Sequence, residues 1–273
     1  MFSQLDNPLI MGILNVTPDS FSDGGKYSGL NDALKQVERM LAEGVDIIDI
    51  GGESTRPGSD SVAAPEQQQR VIPVITAIRQ QLKSAILISI DTTSSAVAKA
   101  ALAAGADIIN DVSAGQDDEA ILALAAQTDV PIILMHSQGE PKTMQDNPYY
   151  DDVVREVIEA LKQRIDAALK AGVKKENIAI DPGIGFGKRK RDNLDLLAHL
   201  DALVALGFPV LLGASRKRFM GTLCDVTEPS ELVTATAVTT ALGVMAGVRI
   251  FRVHDVKENR QAADVAWAIR QSR

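Results

Sequence analysis

Short apolar segments recur along the chain, and polar side chains follow nearly every one of them. Ile86–Ile90 leads to Asp91, and Ile178–Ile180 leads to Asp181. Apolar runs of this length between turn signals are typical of strands buried on both faces. The segments predicted as strands are Leu9–Leu14, Ile47–Ile50, Ile86–Ile90, Ile108-Ile109, Ile132–Met135, Ile178–Ile180, Val210–Leu212 and Ile250-Phe251.

Amphipathic segments alternate with these strands, and glycines follow several of them. A glycine there can adopt the left-handed conformation that ends a helix, which is expected at Gly44, Gly105, Gly172, Gly207 and Gly247. Asn31 is predicted as the N-cap of the first helix. The predicted helices are Asn31–Ala42, Pro65–Leu82, Ser95–Ala104, Asp118–Gln127, Asp152–Ala171, Asp192–Leu206, Ser230–Ala246 and Glu258–Gln271.

Repeated strand–helix units imply parallel strands joined by right-handed crossovers. Eight such units in 273 residues predict an α/β protein with one domain over residues 1–273, a (β/α)8 TIM barrel. An open doubly wound sheet is the alternative, but it usually has a glycine-rich fingerprint after its first strand, and Asn15–Asp19 is not one. In a barrel, the polar residues at the strand ends would meet at the C-terminal rim.

Composition narrows the partners and the compartment. The net charge of −8 disfavours a nucleic-acid backbone binder, which usually has a basic face. With one cysteine, Cys224, the chain has no internal disulfide and favours a reducing compartment, so a cytoplasmic protein is expected. No signal peptide is recognised, and Val233–Val248 contains four threonines, which favours a buried helix over a membrane span.

Two carboxylates are the first candidates for chemistry. Asp91 and Asp181 each follow a dry strand, and a carboxylate pair can act as general acid and base or bind two adjacent N–H donors. The alternative for either residue is a helix cap or a salt bridge. Asn110 and Asp111 add an amide, which can donate and accept along a heterocycle edge, and a further acid.

Basic residues follow the last two predicted strands. Arg252 and His254 are two apart, so on a strand they share a face and suit an anion such as phosphate, although an isolated histidine is often a core residue. Lys217, in the segment 215–218, can contact a ligand oxygen or ring nitrogen, or belong to a solvated turn. The rim after strands seven and eight often binds phosphate.

The glycine-rich segment 183–187 is not a P-loop, because Pro182 stands at the first-glycine position and Arg189 replaces the Ser or Thr. These glycines are expected to let the backbone approach a ligand beside Asp181. The basic run Lys188–Arg191 is interpreted as a solvated loop. His199 is expected to face solvent, and the role of His136 is left open. No zinc-binding spacing is present.

Two long motifs and six shorter ones occur in order along the chain, and together they strongly resemble the signatures of dihydropteroate synthases. The long motifs are Met11–Gly25 and Gly51–Gly58. The shorter ones are Ile90–Thr92, Ile109–Asp111, Met135-His136, Asp181–Lys188, Ser215–Lys217 and Arg252–Val256. The resemblance implies an α/β barrel, Mg²⁺ dependence and a homodimer. It also implies condensation of 6-hydroxymethyl-7,8-dihydropterin diphosphate with p-aminobenzoate, and inhibition by sulfonamides as mimics of p-aminobenzoate.

The resemblance also assigns roles to residues at the matching motif positions. It implies that the pterin is held by Asp91, Asn110, Asp181 and Lys217. The diphosphate would be held by Asn15, Arg252 and His254, with Mg²⁺ near Asn15. The p-aminobenzoate pocket would be formed by Thr55, Arg56, Pro57, Phe186 and Ser215. Asp91, Lys217 and Arg252 would be the catalytic residues.

Two other functions remain as alternatives. A pterin-binding methyltransferase would share the pterin carboxylates but would not need the Thr55–Pro57 loop or the Arg252 and His254 pair. A non-catalytic pterin-binding protein would have no use for a leaving-group site. Both are disfavoured by the residues present.

Overall fold

The strands form as the apolar pattern predicts. The computed structural model describes residues 7–16, 25–54, 59, 61–82, 85–139 and 143–273, with the backbone alone at 25–28. All eight strands belong to one sheet. They are β1 (Leu9–Asn15), β2 (Ile47–Gly51), β3 (Leu87–Asp91), β4 (Ile108–Asp111), β5 (Ile132–Met135), β6 (Ile178–Asp181), β7 (Leu211–Leu212) and β8 (Ile250–Val253).

Parallel pairing brings the strands into a barrel. The strand order is β6-β5-β4-β3-β2-β1-β8-β7, so β1 lies between β2 and β8. The two ends meet where Ile180 bridges Val210 and the Ile180 N–H donates to the Pro209 carbonyl at 2.9 Å. This arrangement confirms the predicted TIM barrel and excludes the open doubly wound sheet.

Ten α-helices lie within the described ranges, and most match the predicted segments. They are α1 (Gly25–Ala42), α2 (Ala64–Gln80), α3 (Ser95–Ala104), α4 (Ala120–Thr128), α5 (Val153–Lys170), α6 (Lys190–Ala198), α7 (Leu200–Val204), α8 (Arg218–Cys224), α9 (Val233–Ala246) and α10 (Val256–Gln271). None of the helices in these ranges is long and apolar enough to cross a membrane.

Two helix predictions were wrong in detail. The first helix begins at Gly25, so Asn31 lies inside it and is not its N-cap. The segment predicted as one helix over Asp192–Leu206 is two, because His199 leaves helical geometry with φ −121° between α6 and α7. His199 is exposed, as expected. The glycines expected to end helices all have positive φ, between +76° and +113°.

The barrel interior has an apolar floor beneath a polar layer. The floor is formed by fully buried Met11, Ile47, Ile108, Ile133, Ala179, Leu211 and Ile250. Side chains two residues apart on a strand share a face, so the residues two positions further along also point inward. On four of the strands these are polar: Asp49, Asn110, Asp181 and Arg252. The candidate site therefore rests on a dry base.

The loops after β5 and β6 are in close contact. A Cβ added at Gly183 would lie 1.9 Å from the His136 carbonyl oxygen, and one added at Gly187 would lie 2.1 Å from the Gln138 oxygen. Both glycines also have positive φ, +66° and +60°. No side chain fits at either position without moving backbone.

Gly183→Ala and Gly207→Ala separate this contact from backbone conformation alone. Gly207 has φ +76° with open space around a Cβ, so alanine is expected to cost about 1 kcal/mol of unfolding free energy. Gly183→Ala has the same conformational cost plus the clash, and we expect a loss of about 3 kcal/mol or more. Urea denaturation with unchanged slope measures both. Equal losses would contradict the contact.

Candidate active site

A buried ion cluster lies at the centre of the polar layer. The Arg252 guanidinium donates from Nε to Asp49 Oδ2 and from Nη2 to Asp91 Oδ2, both at 2.6 Å. Asn110 Nδ2 donates to Asp49 Oδ2 at 3.2 Å. The cluster joins side chains from β2, β3, β4 and β8. Arg252 was expected to bind an anion together with His254, but in the structure its guanidinium is ion-paired with two acids.

Burial and charge oppose each other in this cluster. Burial raises the pKa of Asp91 to about 7, with Arg252 opposing the rise and Asp49 adding to it. Burial alone would lower the pKa of Arg252, but Asp49 and Asp91 outweigh it and raise that pKa. Arg252 therefore stays charged, while Asp91 can gain or lose a proton near neutral pH.

Asp91 has one oxygen in the salt bridge and one directed elsewhere. Its Oδ1 is buried and has no hydrogen-bond partner within the described part of the chain. A buried polar atom without a partner is costly, so a ligand, an ion or a water molecule that supplies the missing hydrogen bond is favoured there. The salt-bridge and ligand-binding hypotheses for Asp91 are thus compatible, because they concern different oxygens.

Asp181 lies across the mouth from Asp91, at the end of β6. Its Oδ1 accepts the Gly183 N–H at 2.7 Å, and its Oδ2 lies 3.7 Å from the position of a Cβ at Gly213. Burial raises its pKa to about 6, with the Gly183 N–H and then Lys217, Lys188 and Arg252 opposing the rise. Asp181 is therefore mostly ionised at neutral pH.

Lys217 and Phe186 form a wall beside Asp181. Lys217 Nζ lies 4.2 Å from the Phe186 ring centroid, within cation–π range. The Lys217 stem lies against Gly185, where an added Cβ would be 3.0 Å from Lys217 Cδ. Lys217 is the N-cap residue of α8 and is not part of a purely solvated turn. An apolar face and a cation are therefore presented together.

Ser215 and His254 are hydrogen-bonded to each other at the ends of β7 and β8. The His254 backbone N–H donates to Ser215 Oγ at 3.1 Å, and Ser215 Oγ lies 3.0 Å from His254 Nδ1. Since the hydroxyl accepts the backbone N–H, its own hydrogen can be donated to Nδ1. When Nδ1 accepts from the Ser215 hydroxyl in this way, Nε2 is the ring nitrogen that can donate to an anion.

Asn15 ends β1 at the same rim, beside Asp91. Its Oδ1 lies 3.5 Å from the position of a Cβ at Gly51, and Asp91 Cβ lies 3.6 Å from that position. Among the described residues, no group of three His, Cys, Asp or Glu could hold a metal ion. Carboxylate, carbonyl and water oxygens suit Mg²⁺, which usually keeps several waters and binds substrate phosphates. The Asn15 amide oxygen fits that pattern.

Two residues of this region were not predicted from the sequence. Asp49 lies inside an apolar run, yet its carboxylate is fully buried and paired with Arg252. The prediction that Lys188 belongs to a solvated loop was wrong, since it is 3% exposed and its Nζ contacts His136 Nδ1 at 3.0 Å. Of the two neighbours at the end of β4, Asn110 belongs to the cluster, whereas Asp111 accepts hydrogen bonds from the Ser113 and Gly115 backbone N–H groups in its own turn.

Some of the site residues predicted from the sequence lie at the described rim, and others lie outside the described residues. Thr55, Arg56 and Pro57 lie outside them. The predicted positions on the described part of the rim are Asn15, Asp91, Asn110, Asp181, Phe186, Ser215, Lys217, Arg252 and His254.

Comparisons with known proteins agree with this arrangement. The family model described as "Pterin binding enzyme" matches residues 11–254. A dihydropteroate synthase from Synechocystis sp. is 48% identical over 260 residues, covering 95% of this chain and 89% of the relative.

Solved structures show the same fold. A dihydropteroate synthase from Clostridium difficile, solved in the presence of pteroic acid, matches with a TM-score of 0.91 and 43% identity over 98% of this chain and 99% of that one. The Xanthomonas albilineans enzyme with 4-aminobenzoic acid has a TM-score of 0.90 and 46% identity, covering 97% and 94% of the two chains. On its barrel, its rim residues and these relatives, the chain belongs to the dihydropteroate synthase family.

Proposed function

We propose that this rim site joins 6-hydroxymethyl-7,8-dihydropterin diphosphate to p-aminobenzoate, releasing diphosphate and 7,8-dihydropteroate. The observation that carries the proposal is the buried Asp91 Oδ1, which has no hydrogen-bond partner among the described residues, at a rim that also contains Asp181 and Lys217. Such a site matches a ring whose edge presents adjacent N–H donors. The names and bound molecules of the relatives support the same reaction.

Four residues would hold the pterin. Asp91 and Asp181 would accept its N–H groups, while Asn110 would donate and accept along the ring edge. Lys217 would donate to a ring nitrogen or to the 4-oxo group. The ionised Asp181 carboxylate and the charged Arg252 guanidinium are in place before the ligand arrives, so little reorganisation of the pocket is needed.

The diphosphate would lie toward Asn15, Arg252 and His254. Arg252 already satisfies two carboxylates, so its remaining N–H groups and its overall charge are what it can offer to an anion. His254 would donate from Nε2. Mg²⁺, when bound beside Asn15, supplies Lewis-acid neutralisation of the phosphate oxygens.

The p-aminobenzoate would lie against the Phe186 ring, with its carboxylate near Ser215. Thr55, Arg56 and Pro57 would complete the pocket, as the family motif implies. Phe186 is partly exposed and is positioned beside the Lys217 stem, so an aromatic ring stacked there would contact both.

The chemistry follows as a dissociative substitution. The bond between the pterin methylene and the diphosphate oxygen breaks first, and both electrons leave with the diphosphate. Arg252 and His254 neutralise the charge that develops on it. The methylene cation is delocalised into the pterin ring and stabilised by the Asp91 carboxylate. The aniline nitrogen then forms the new C–N bond and loses a proton to the released diphosphate or to water.

We also propose that the protein is a homodimer and works in the cytoplasm. Val238 and Leu242 on α9 and Val265 and Ile269 on α10 are exposed by 54%, 60%, 62% and 51%. The pairs are four residues apart, so each forms a stripe on its helix, and these helices pack on each other. An apolar patch of this kind marks an interface, here with a second copy. The single cysteine, Cys224, suits a reducing compartment.

Product formation tests the proposed reaction. Purified protein given both substrates and Mg²⁺ is expected to form dihydropteroate and diphosphate, detected by chromatography and mass spectrometry. Chelation of the metal should stop the reaction, and added Mg²⁺ should restore it. Binding of both substrates without product would refute the reaction.

His254→Ala tests the leaving-group site, and 6-hydroxymethylpterin serves as a control ligand. The variant should bind 6-hydroxymethylpterin, which has no diphosphate, as the unchanged protein does, while kcat falls by about 100-fold because the leaving group loses a donor. Equal losses in pterin binding and kcat would contradict the separation of the two sites.

Pterin binding should depend on pH through the two buried carboxylates. Their pKa values, about 7 for Asp91 and about 6 for Asp181, lie above the usual range, so protonation on acidification removes acceptors. From about pH 7 to about pH 6 the affinity for 6-hydroxymethylpterin is expected to fall about tenfold, as fluorescence titration can measure. In Asp91→Asn the remaining fall is about twofold, because only Asp181 titrates. An affinity independent of pH would contradict the assignment.

The dimer surface has a matched pair of variants. Leu242→Lys places a charge on the α9 stripe and is expected to give monomers in sedimentation equilibrium. Leu169→Lys changes an exposed leucine on α5, far along the sequence from the stripe, and should leave the dimer intact. A monomeric parent protein, or a dimeric Leu242→Lys variant, would refute this surface.

A further inference from the structure

Lys188 is a buried lysine that the proposed reaction does not use. It is 3% exposed, in the loop between β6 and α6. Its Nζ lies 3.0 Å from His136 Nδ1, 3.0 Å from the Phe186 carbonyl oxygen and 3.4 Å from the His136 carbonyl oxygen. A lysine ammonium has three N–H donors, so each of these acceptors can take one. The side chain is fully engaged inside the protein.

These contacts join the loop after β5 to the loop after β6, and the backbones of the two loops are closely packed. His136 follows β5, while Phe186 and Lys188 follow β6. The glycines at 183 and 187 allow the β6 loop to touch the carbonyl groups of the β5 loop. The Tyr150 hydroxyl donates to the Gly187 carbonyl at 2.9 Å, which closes the same junction from the side of α5. Lys188 thus sits in a constructed junction.

The same junction positions the wall of the proposed site. Lys188 holds the Phe186 carbonyl, and the Phe186 ring lies beneath Lys217 Nζ. We propose that Lys188 is a positioning residue which, in the proposed reaction, holds Phe186 and Lys217 beside Asp181 and adds a buried positive charge near that carboxylate. Lys188 touches neither substrate in this proposal.

The charges around Lys188 support its proposed electrostatic effect on Asp181. Burial lowers its pKa to about 7, with Asp181 and Asp192 opposing and Lys217 adding to the decrease. Burial and then Lys188 lower the pKa of His136 to about 3, so His136 is a neutral acceptor. Lys188 is therefore charged near pH 6, where Asp181 titrates, and it is one of three cations that oppose the rise in the Asp181 pKa.

Lys188→Met tests the positioning role, with Lys190→Met as the matched control on the exposed side of the same segment. Methionine keeps an unbranched stem but removes the charge and all three donors. We expect KM for p-aminobenzoate to rise about tenfold in Lys188→Met, with a smaller change in kcat, because the Phe186 wall is no longer held. Lys190→Met should match the parent protein.

The pH dependence of 6-hydroxymethylpterin binding tests the charge and needs no turnover. In Lys188→Met the midpoint assigned to Asp181 should move up by about one pH unit, because a nearby cation is lost. Lys188→Gln retains donors but no charge, so it should show the same shift with a smaller rise in KM. A merely structural loss would lower the amount of active protein, seen in circular dichroism, without moving the midpoint.

The outcomes separate the two proposals. If the parent protein makes no dihydropteroate, the proposed reaction fails, and the midpoint shift still decides the role of Lys188. If the midpoint is unmoved and KM unchanged in a folded Lys188→Met variant, the positioning role is overturned. If that variant does not fold, Lys188→Gln decides in the same way.

Discussion

A guanidinium held between two buried carboxylates is the constraint on which the rest of the site depends. Arg252 satisfies Asp49 and Asp91 at once, and the apolar floor beneath keeps water from that side of all three. Removing one partner from such a cluster leaves an uncompensated buried charge, which typically costs about 3–5 kcal/mol. The side chains come from β8, β2 and β3, so the cluster can form only when the barrel brings those strands round. Site and fold are in this sense a single structure.

The opposite side of the mouth is organised by backbone contact. Asp181 accepts a Gly183 N–H, and the glycines of this loop let it lie directly against the loop after β5. Lys188 and Phe186 then occupy positions that those contacts determine. One half of the mouth is therefore fixed by ion pairs between strands, and the other by two loops whose backbones touch.

The sequence predicts the barrel well because its signals are local. Apolar runs mark the strands, and each glycine expected to end a helix has the positive φ that the prediction requires. The break at His199 was missed, since helical periodicity continues across it. Asp49 was not predicted as a site residue because the isoleucines on both sides mark only a buried strand. Lys188 was misassigned because its burial depends on His136, which is distant in sequence, and the periodicity of a single segment carries no such information.

The junction between β6 and β7 has a consequence for how the ring behaves. β7 has two residues, and its hydrogen bonding to β6 amounts to the bridge between Ile180 and Val210 in the described chain, whereas β1 and β2 pair along five positions. Regions with few backbone hydrogen bonds open at the lowest free energy. By this measure the β6–β7 junction, directly beside Asp181, is held less firmly by backbone hydrogen bonds than the β1–β2 junction. The barrel closes there mainly through side-chain packing, since Ile180, Val210 and Leu211 are at most 1% exposed.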